Sequence, residues 1–252
     1  MARTPIELRR ALGTAARLWS APAHHTVEAE WWTAFSGETG VDYNVACCQS
    51  SYNDVLVHHC LEPLLDLKKP GIIMLAGPGL ATAQKLVDAS WVVVAALPLM
   101  LLEGRNLPDV DGSDVRALTK DDLPEARSIL TDTYSMSDAV TAVAVPVAAV
   151  EDPTLGAWGL FDGDRMVSVL TSATEDGLAV VWSMTTRPQD QGKGYGRRLL
   201  VTALRSRFEA GAAEGSLLQS SAEGERLYRG LGYEVVEYWQ LWSRPRWMMG
   251  RA

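Results

Sequence analysis

One segment of the 252-residue chain gathers residue types that could hold an anion: Leu178-Ala-Val-Val-Trp-Ser-Met-Thr-Thr-Arg-Pro-Gln-Asp-Gln191-Gly-Lys-Gly-Tyr-Gly196-Arg-Arg-Leu-Leu. A β-rich run breaks into a glycine-dense turn that opens an amphipathic helix. Glycines let the backbone approach a phosphate closely and accept unusual dihedrals. The first turn of a helix adds N–H groups that have no internal partner. Arg187, Lys193, Arg197 and Arg198 against Asp190 make this stretch net positive, whereas the whole chain carries a formal charge of −8. A basic helix start in an acidic protein points to a small polyanionic ligand rather than to a polymer. A plain glycine turn with solvated arginines is the competing account of the same residues.

Other residues that invite chemistry carry weaker patterns. Cys47, Cys48 and Cys60 with His58 and His59 form a CC…HHC cluster. Its spacing fits none of the usual zinc patterns, and adjacent strand residues point to opposite faces. Buried free cysteines in a reducing compartment, with no metal, are expected. Gly77-Pro-Gly79 is read as a turn, because Pro78 removes one N–H from any phosphate cradle. Trp158, Trp182, Trp239 and Trp242 either wall an apolar acceptor pocket or fill the core.

The surrounding pattern is mixed α/β. Thr4, Pro5 and Glu7 predict a capped helix, with Ile6, Leu12, Ala16 and Trp19 at helical spacing. A strand is expected over 41–49, a helix over 52–67, a strand over 71–76, a helix over 81–89 and an apolar strand over 91–97. His24 and His25 fall in a connection. Residues 103–113, rich in Gly, Pro and Asp, read as a linker. Beyond it come a strand at 115–118, a helix opened by Thr119 and Asp122, and a helical region over 137–150. Strands at 158–161, 166–173 and 178–186 follow, joined by turns at Asp162-Gly163-Asp164 and Glu175-Asp176-Gly177. A helix over 194–211, a strand at 216–220, a helix over 223–230 and a final strand over 233–242 complete the expectation.

The composition is that of a globular protein, with 47% hydrophobic and 21% charged residues. The most apolar run, 89–102, contains Pro98 and is shorter than the ~20 residues that span a bilayer. The start lacks the apolar stretch of a signal peptide, so a cytoplasmic location is expected. The acidic balance excludes a general nucleic-acid or anionic-membrane surface.

Gln191-Gly-Lys-Gly194-Tyr-Gly196 matches the Q/R-x-x-G-x-G/A signature of GNAT-type N-acetyltransferases, behind a strand and before a helix. Glu225-Arg-Leu-Tyr228-Arg-Gly-Leu-Gly232-Tyr233 resembles that family's L-Y-x-x-L-G-[FY] motif. The resemblance covers about residues 115–242 and implies a mixed central sheet flanked by helices. It also implies acetyl-CoA as co-substrate, its pantetheine arm lying in a gap where the strand before the glycine loop splays from its neighbour. Met184, Thr185 and Thr186 would then line that arm, with Met184 N–H polarising the thioester carbonyl. Gln191, Gly192, Lys193, Gly194, Tyr195, Gly196 and Arg197 would form the pyrophosphate loop, and Tyr228 would protonate the departing thiolate. On its own, Tyr228 reads as a core tyrosine with a satisfied hydroxyl, and it is the motif match that points to the acid role. Val180 occupies the position from which members with a glutamate base act, and Glu175 and Asp176 belong to a turn. The general base is therefore unassigned.

The N-terminal half repeats the strand–helix–strand–helix–strand order, with Leu86-Val87 answering to Leu227-Tyr228 but no glycine signature after Gln49. It resembles a degenerate partial GNAT unit without a cofactor. Two domains, 1–112 and 113–252, are expected, the first supporting or gating the acceptor side of the second. The reading that follows is acetyl transfer from acetyl-CoA to a small-molecule primary amine, with no nucleic-acid or membrane partner and a homodimer left open. The alternative is a non-catalytic CoA- or acyl-CoA-binding regulatory protein of the same fold.

Overall fold

In the computed structural model, which describes residues 3–248, Thr4 caps α1 (Pro5–Ala15) through the expected box with Glu7. Thr4 N donates to Glu7 Oε2 at 2.7 Å. The buried stripe is Leu8, Leu12 and Ala15, whereas Ile6 is exposed. β1 (His25–Val27) and β2 (Trp31–Phe35) form a hairpin where the sequence suggests a connection. Its turn, Glu28-Ala29-Glu30, carries none of the glycine or asparagine that usually marks one. β3 is Asn44–Cys48, and the residues expected to start it form a 3-10 turn, Val41–Tyr43. Asn44 fixes that turn by donating to Glu38 O at 2.7 Å and Pro70 O at 2.9 Å.

α2 (Asn53–Val55) continues through a π-helical stretch, Leu56–Leu61, into α3 (Glu62–Asp66). β4 (Ile72–Leu75), a 3-10 turn at Gly77–Thr82 and α4 (Ala83–Asp88) follow. β5 (Val92–Glu103) runs through Pro98, where the expected strand stops. Proline costs a strand one donor but its φ remains compatible with extended backbone. Only the second half of β5 is core: Leu99 and Met100 are fully buried, while Val92 and Val93 are exposed.

β6 (Val115–Ala117) leads to the Thr119–Asp122 capping box, a 3-10 turn and α5 (Leu123–Tyr134). α6 (Asp138–Ala144) and α7 (Ala148–Glu151) occupy the expected helical region. The antiparallel run β7 (Leu155–Asp162), β8 (Arg165–Glu175) and β9 (Leu178–Thr186) follows. Then come α8 (Tyr195–Glu209), β10 (Gly215–Gln219), α9 (Glu225–Arg229), β11 (Glu234–Ser243) and a short α10 (Pro245–Met248) that the sequence does not announce.

The chain divides into two compact units, but not at a single cut near residue 112. The first comprises Met1–Met100, Gln219–Glu225 and Glu234–Ala252; the second comprises Leu101–Leu218 and Arg226–Tyr233. The last strand decides the difference, because β11 pairs antiparallel with β4, Gln240 opposite Leu75 and Trp242 opposite Ile73.

In the first unit β1–β2 and β2–β3 are antiparallel and β3–β4 is parallel. Its core holds Cys48, Leu56, Cys60, Leu64, Ile73 and Trp242. Arg9 makes a two-pronged ion pair with Glu237 at 2.5 and 2.6 Å, and Trp239 Nε1 donates to the same carboxylate at 2.6 Å. In the second unit the order is β10-β9-β8-β7-β6, with β9–β10 parallel and the other pairs antiparallel. Ile129, Val169, Leu170, Val180, Leu199 and Leu217 are fully buried within it. No single helix among the described residues is long and apolar enough to cross a membrane.

Candidate active site

β9 departs from regularity on both edges. Toward β8, pairing runs as far as Thr171 opposite Trp182 and resumes at Val169 opposite Thr185. Ser183 and Met184 thus face the single residue Leu170, which is a β-bulge, and Ser183 takes a left-handed φ of 47°. Toward β10, pairing covers Leu178, Ala179 and Val180 and then ends, although β9 continues to Thr186. Residues 181–186 therefore present a strand edge that β10 does not cover, beside the bulge.

The turn after β9 is built by two left-handed glycines, Gly192 at φ 77° and Gly194 at φ 81°. Gly194 is the N-cap of α8, and the first bond into the helix runs from Arg198 N to Gly194 O at 3.1 Å. Among the described residues no backbone acceptor is found for the N–H groups of residues 192–197. A Cβ at Gly192 or Gly194 would meet nothing within 4 Å, so the loop is open on the side where those side chains would stand. Gly196 serves a different need: a Cβ there would stand 3.0 Å from Met184 Cε, so its absence lets α8 lie close to β9. Gln191 Nε2 donates to Thr186 O at 3.1 Å, tying the loop to the end of the strand.

The cations of the segment are less available than their number suggests. Arg187 is buried, donating to Met166 O at 3.0 Å and Ser128 Oγ at 2.9 Å and pairing with Asp132. Arg198 pairs with Asp114, and Lys193 Nζ lies 2.9 Å from Asp190 Oδ1. Arg197 donates to Gly230 O at 3.4 Å. Most cations of the segment are thus engaged with protein partners, whereas the N–H groups of 192–197 have no backbone acceptor among the described residues. Asp190 and its second partner Arg165, 2.8 Å away, escape a sequence reading that counts charges without pairing them.

Tyr228, on α9, reaches the bulge: its hydroxyl lies 3.7 Å from Met184 Sδ, and its ring packs edge-on against Tyr233 at 5.6 Å. Burial, with a smaller contribution from Tyr134, pushes its pKa up to about 12, so it is a neutral O–H donor at neutral pH. Val180 is fully buried and supplies no acid. Glu175 pairs with Leu178 at the other end of β9. At about 3.3 Å per residue, that is roughly 20 Å from Met184, too far for proton transfer there.

The remaining candidates fall elsewhere. Trp239 and Trp242 are buried in the first unit, and Trp158 is buried beneath Arg207, 4.9 Å from its ring. Cys47, Cys48 and Cys60 are free and buried. His59 stacks on Trp31 at 4.6 Å, and His58 pairs with Glu62 at 3.0 Å.

No family model matches the chain, and neither does any curated protein. Solved structures do. The chain superposes on a GCN5-related N-acetyltransferase from Kribbella flavida with a TM-score of 0.70 at 21% identity, covering 96% of this chain and 97% of that one. A putative GNAT-family acetyltransferase from Novosphingobium aromaticivorans gives 0.57 at 16% identity over 95% and 97% of the two chains. A GCN5-related N-acetyltransferase from Sphaerobacter thermophilus gives 0.60 at 15% over 89% and 78%. The chain has the GNAT acetyltransferase fold.

Both units echo that fold's central strands, an antiparallel pair followed by a parallel one: β2-β3-β4 in the first and β8-β9-β10 in the second. They differ in how far the parallel pair runs. β3 and β4 pair along their whole overlap, from Val45 opposite Ile72 to Cys48 opposite Leu75, and Ala76 N still donates to Cys48 O at 3.0 Å. In the first unit the parallel pair stays closed; in the second it opens after three residues.

Proposed function

We propose that this protein is an acetyl-CoA-dependent N-acetyltransferase acting on a primary amine of a small molecule, with its donor site in the second unit alone. The observation that carries the reading is the convergence of three features: the uncovered edge of β9, the N–H groups of 192–197 that have no backbone acceptor among the described residues, and the Tyr228 hydroxyl beside Met184. The closed β3–β4 pair supports a first unit without a donor site. The free cysteines support a reducing, cytoplasmic setting.

When bound, acetyl-CoA supplies an acetyl group activated as a thioester. The backbone at Met184, Thr185 and Thr186 has the extended form that lets a pantetheine arm bond as an added strand. The N–H groups from Gly192 to Arg197 offset pyrophosphate charge at the positive end of α8. Met184 N–H donates toward the carbonyl oxygen where negative charge develops. Tyr228 holds its proton at neutral pH and gives it to the leaving sulfur. With Val180 apolar, the amine loses its proton to water.

Val180 also favours a second reading, a CoA-binding regulatory protein without turnover. Titration with CoA, followed by thiol release from acetyl-CoA across a panel of primary amines, separates the two. Amine-dependent thiol release establishes the enzyme, and tight CoA binding without it establishes the binding protein.

A further inference from the structure

We propose that Asp190 is a positioning residue for the donor loop, joining Arg165 and Lys193 in a charge clamp that holds the glycine turn in its ligand-ready shape. The inference rests on the acetyl-CoA reading of the site. The Asp190 side chain is 2% exposed, and both of its oxygens are engaged: Oδ1 with Lys193 Nζ at 2.9 Å and Oδ2 with Arg165 Nη1 at 2.8 Å. Its own N–H donates to Arg187 O at 2.9 Å, which closes the 3-10 turn before the loop. The carboxylate is therefore fixed by backbone on one side and holds a cation of the loop on the other.

Arg165 opens β8, just across the hairpin from Asp162, and Asp162 Oδ2 accepts the Tyr195 hydroxyl at 3.4 Å. The loop is thus attached to one hairpin twice, before Gly194 through Asp190 and after it through Tyr195. Between the attachments lie the two left-handed glycines, whose freedom in an untethered chain would scatter the N–H groups. A tether that removes this freedom before the ligand arrives lowers the ordering cost of binding. Arg165 and Lys193 hold the Asp190 pKa down to about 2, so the clamp is charged throughout the working pH range.

The sign of the effect distinguishes this account from its rivals. Simple electrostatics says that removing a carboxylate near an anion site tightens anion binding. A purely structural ion pair says that stability falls while the folded protein binds as before. The clamp says that binding weakens.

The test is calorimetric titration of full-length protein with CoA, together with steady-state kinetics in acetyl-CoA, for wild type, Asp190→Asn, Lys193→Met and the double variant. Losing two charge-assisted hydrogen bonds predicts about tenfold weaker CoA binding for Asp190→Asn. A smaller loss is expected for Lys193→Met, and the double variant should be no worse than Asp190→Asn. KM for acetyl-CoA should rise in step, with kcat falling less than KM rises. Unchanged or tighter CoA binding by folded Asp190→Asn, or full additivity in the double variant, overturns the clamp. If Asp190→Asn does not fold, Arg165→Gln, at a half-exposed position, tests the other arm and should weaken CoA several-fold. Wild-type protein that fails to bind CoA overturns the functional reading itself; wild-type binding matched by the variants overturns the clamp alone.

Discussion

Tyr228 owes its proposed role to two facts: a hydroxyl 3.7 Å from Met184 Sδ and burial that keeps it protonated to about pH 12. Tyr228→Phe removes a proton donor and only a weak hydrogen bond to sulfur. It should lower kcat about 100-fold, with CoA affinity within twofold and stability changed by about 1 kcal/mol or less. Steady-state kinetics, CoA titration and thermal denaturation on one preparation check all three; parental turnover would remove the acid assignment. The pH dependence has a definite sign. A pKa raised above the unfolded value of about 10 contributes stability that is complete below pH 10 and lost as pH rises through about 12. The pH–rate profile should accordingly show no alkaline loss from Tyr228 below about pH 11. Gly194 separates shape from charge. At φ 81° with open space ahead, asparagine is tolerated better than most residues, whereas aspartate adds a negative charge before the N–H groups. Gly194→Asp should weaken CoA at least tenfold more than Gly194→Asn, read by calorimetry; equal affinities would place the anion elsewhere.

The junction of β9 and α8 is set by side-chain economy at Gly196. Alanine there favours the helix by roughly 0.5–1 kcal/mol yet brings a Cβ to 3.0 Å from Met184 Cε, a flexible end that must move. Gly196→Ala should leave the melting temperature nearly unchanged while kcat falls several-fold, because Met184 is displaced beside Tyr228. An unaltered kcat would show that the Met184 side chain has no part in placing the Tyr228 hydroxyl, and would leave the Met184 N–H untested. The junction was also the most legible part of the sequence: β9 begins and ends at the expected residues, and the two glycine turns sit where their spacing places them. Local chemistry specifies such features. The β1–β2 hairpin was not legible because its turn lacks special residues, and the far half of β5 was hidden by Pro98. The pairing of Asp190 with Arg165, and of Arg9 with Glu237, depends on contacts distant in sequence that no local pattern records.

At the scale of the whole molecule, sequence order and compactness disagree. A fragment of residues 1–112 retains β1 to β5 but loses β11, and with it Glu237, the partner of the buried Arg9, and the core side chain Trp242. Leaving a buried cation unpaired costs about 3–5 kcal/mol, a large share of a typical domain's stability. The fragment should be unfolded by circular dichroism and prone to precipitate. A soluble fragment with a cooperative melt would show that β11 is dispensable.

The place of β11 between β4 and β5 also imposes a timetable on synthesis. When β5 has left the ribosome, the first unit still lacks a strand that will be translated well over a hundred residues later. At about 5–20 residues per second, the β4 edge waits roughly 10–30 s for its partner. During that interval the nascent chain displays Ile72–Leu75, four consecutive apolar residues, to whatever strand arrives first. Slow translation or a shortage of chaperone should therefore harm the yield of this protein more than that of a chain whose units close in the order they are made.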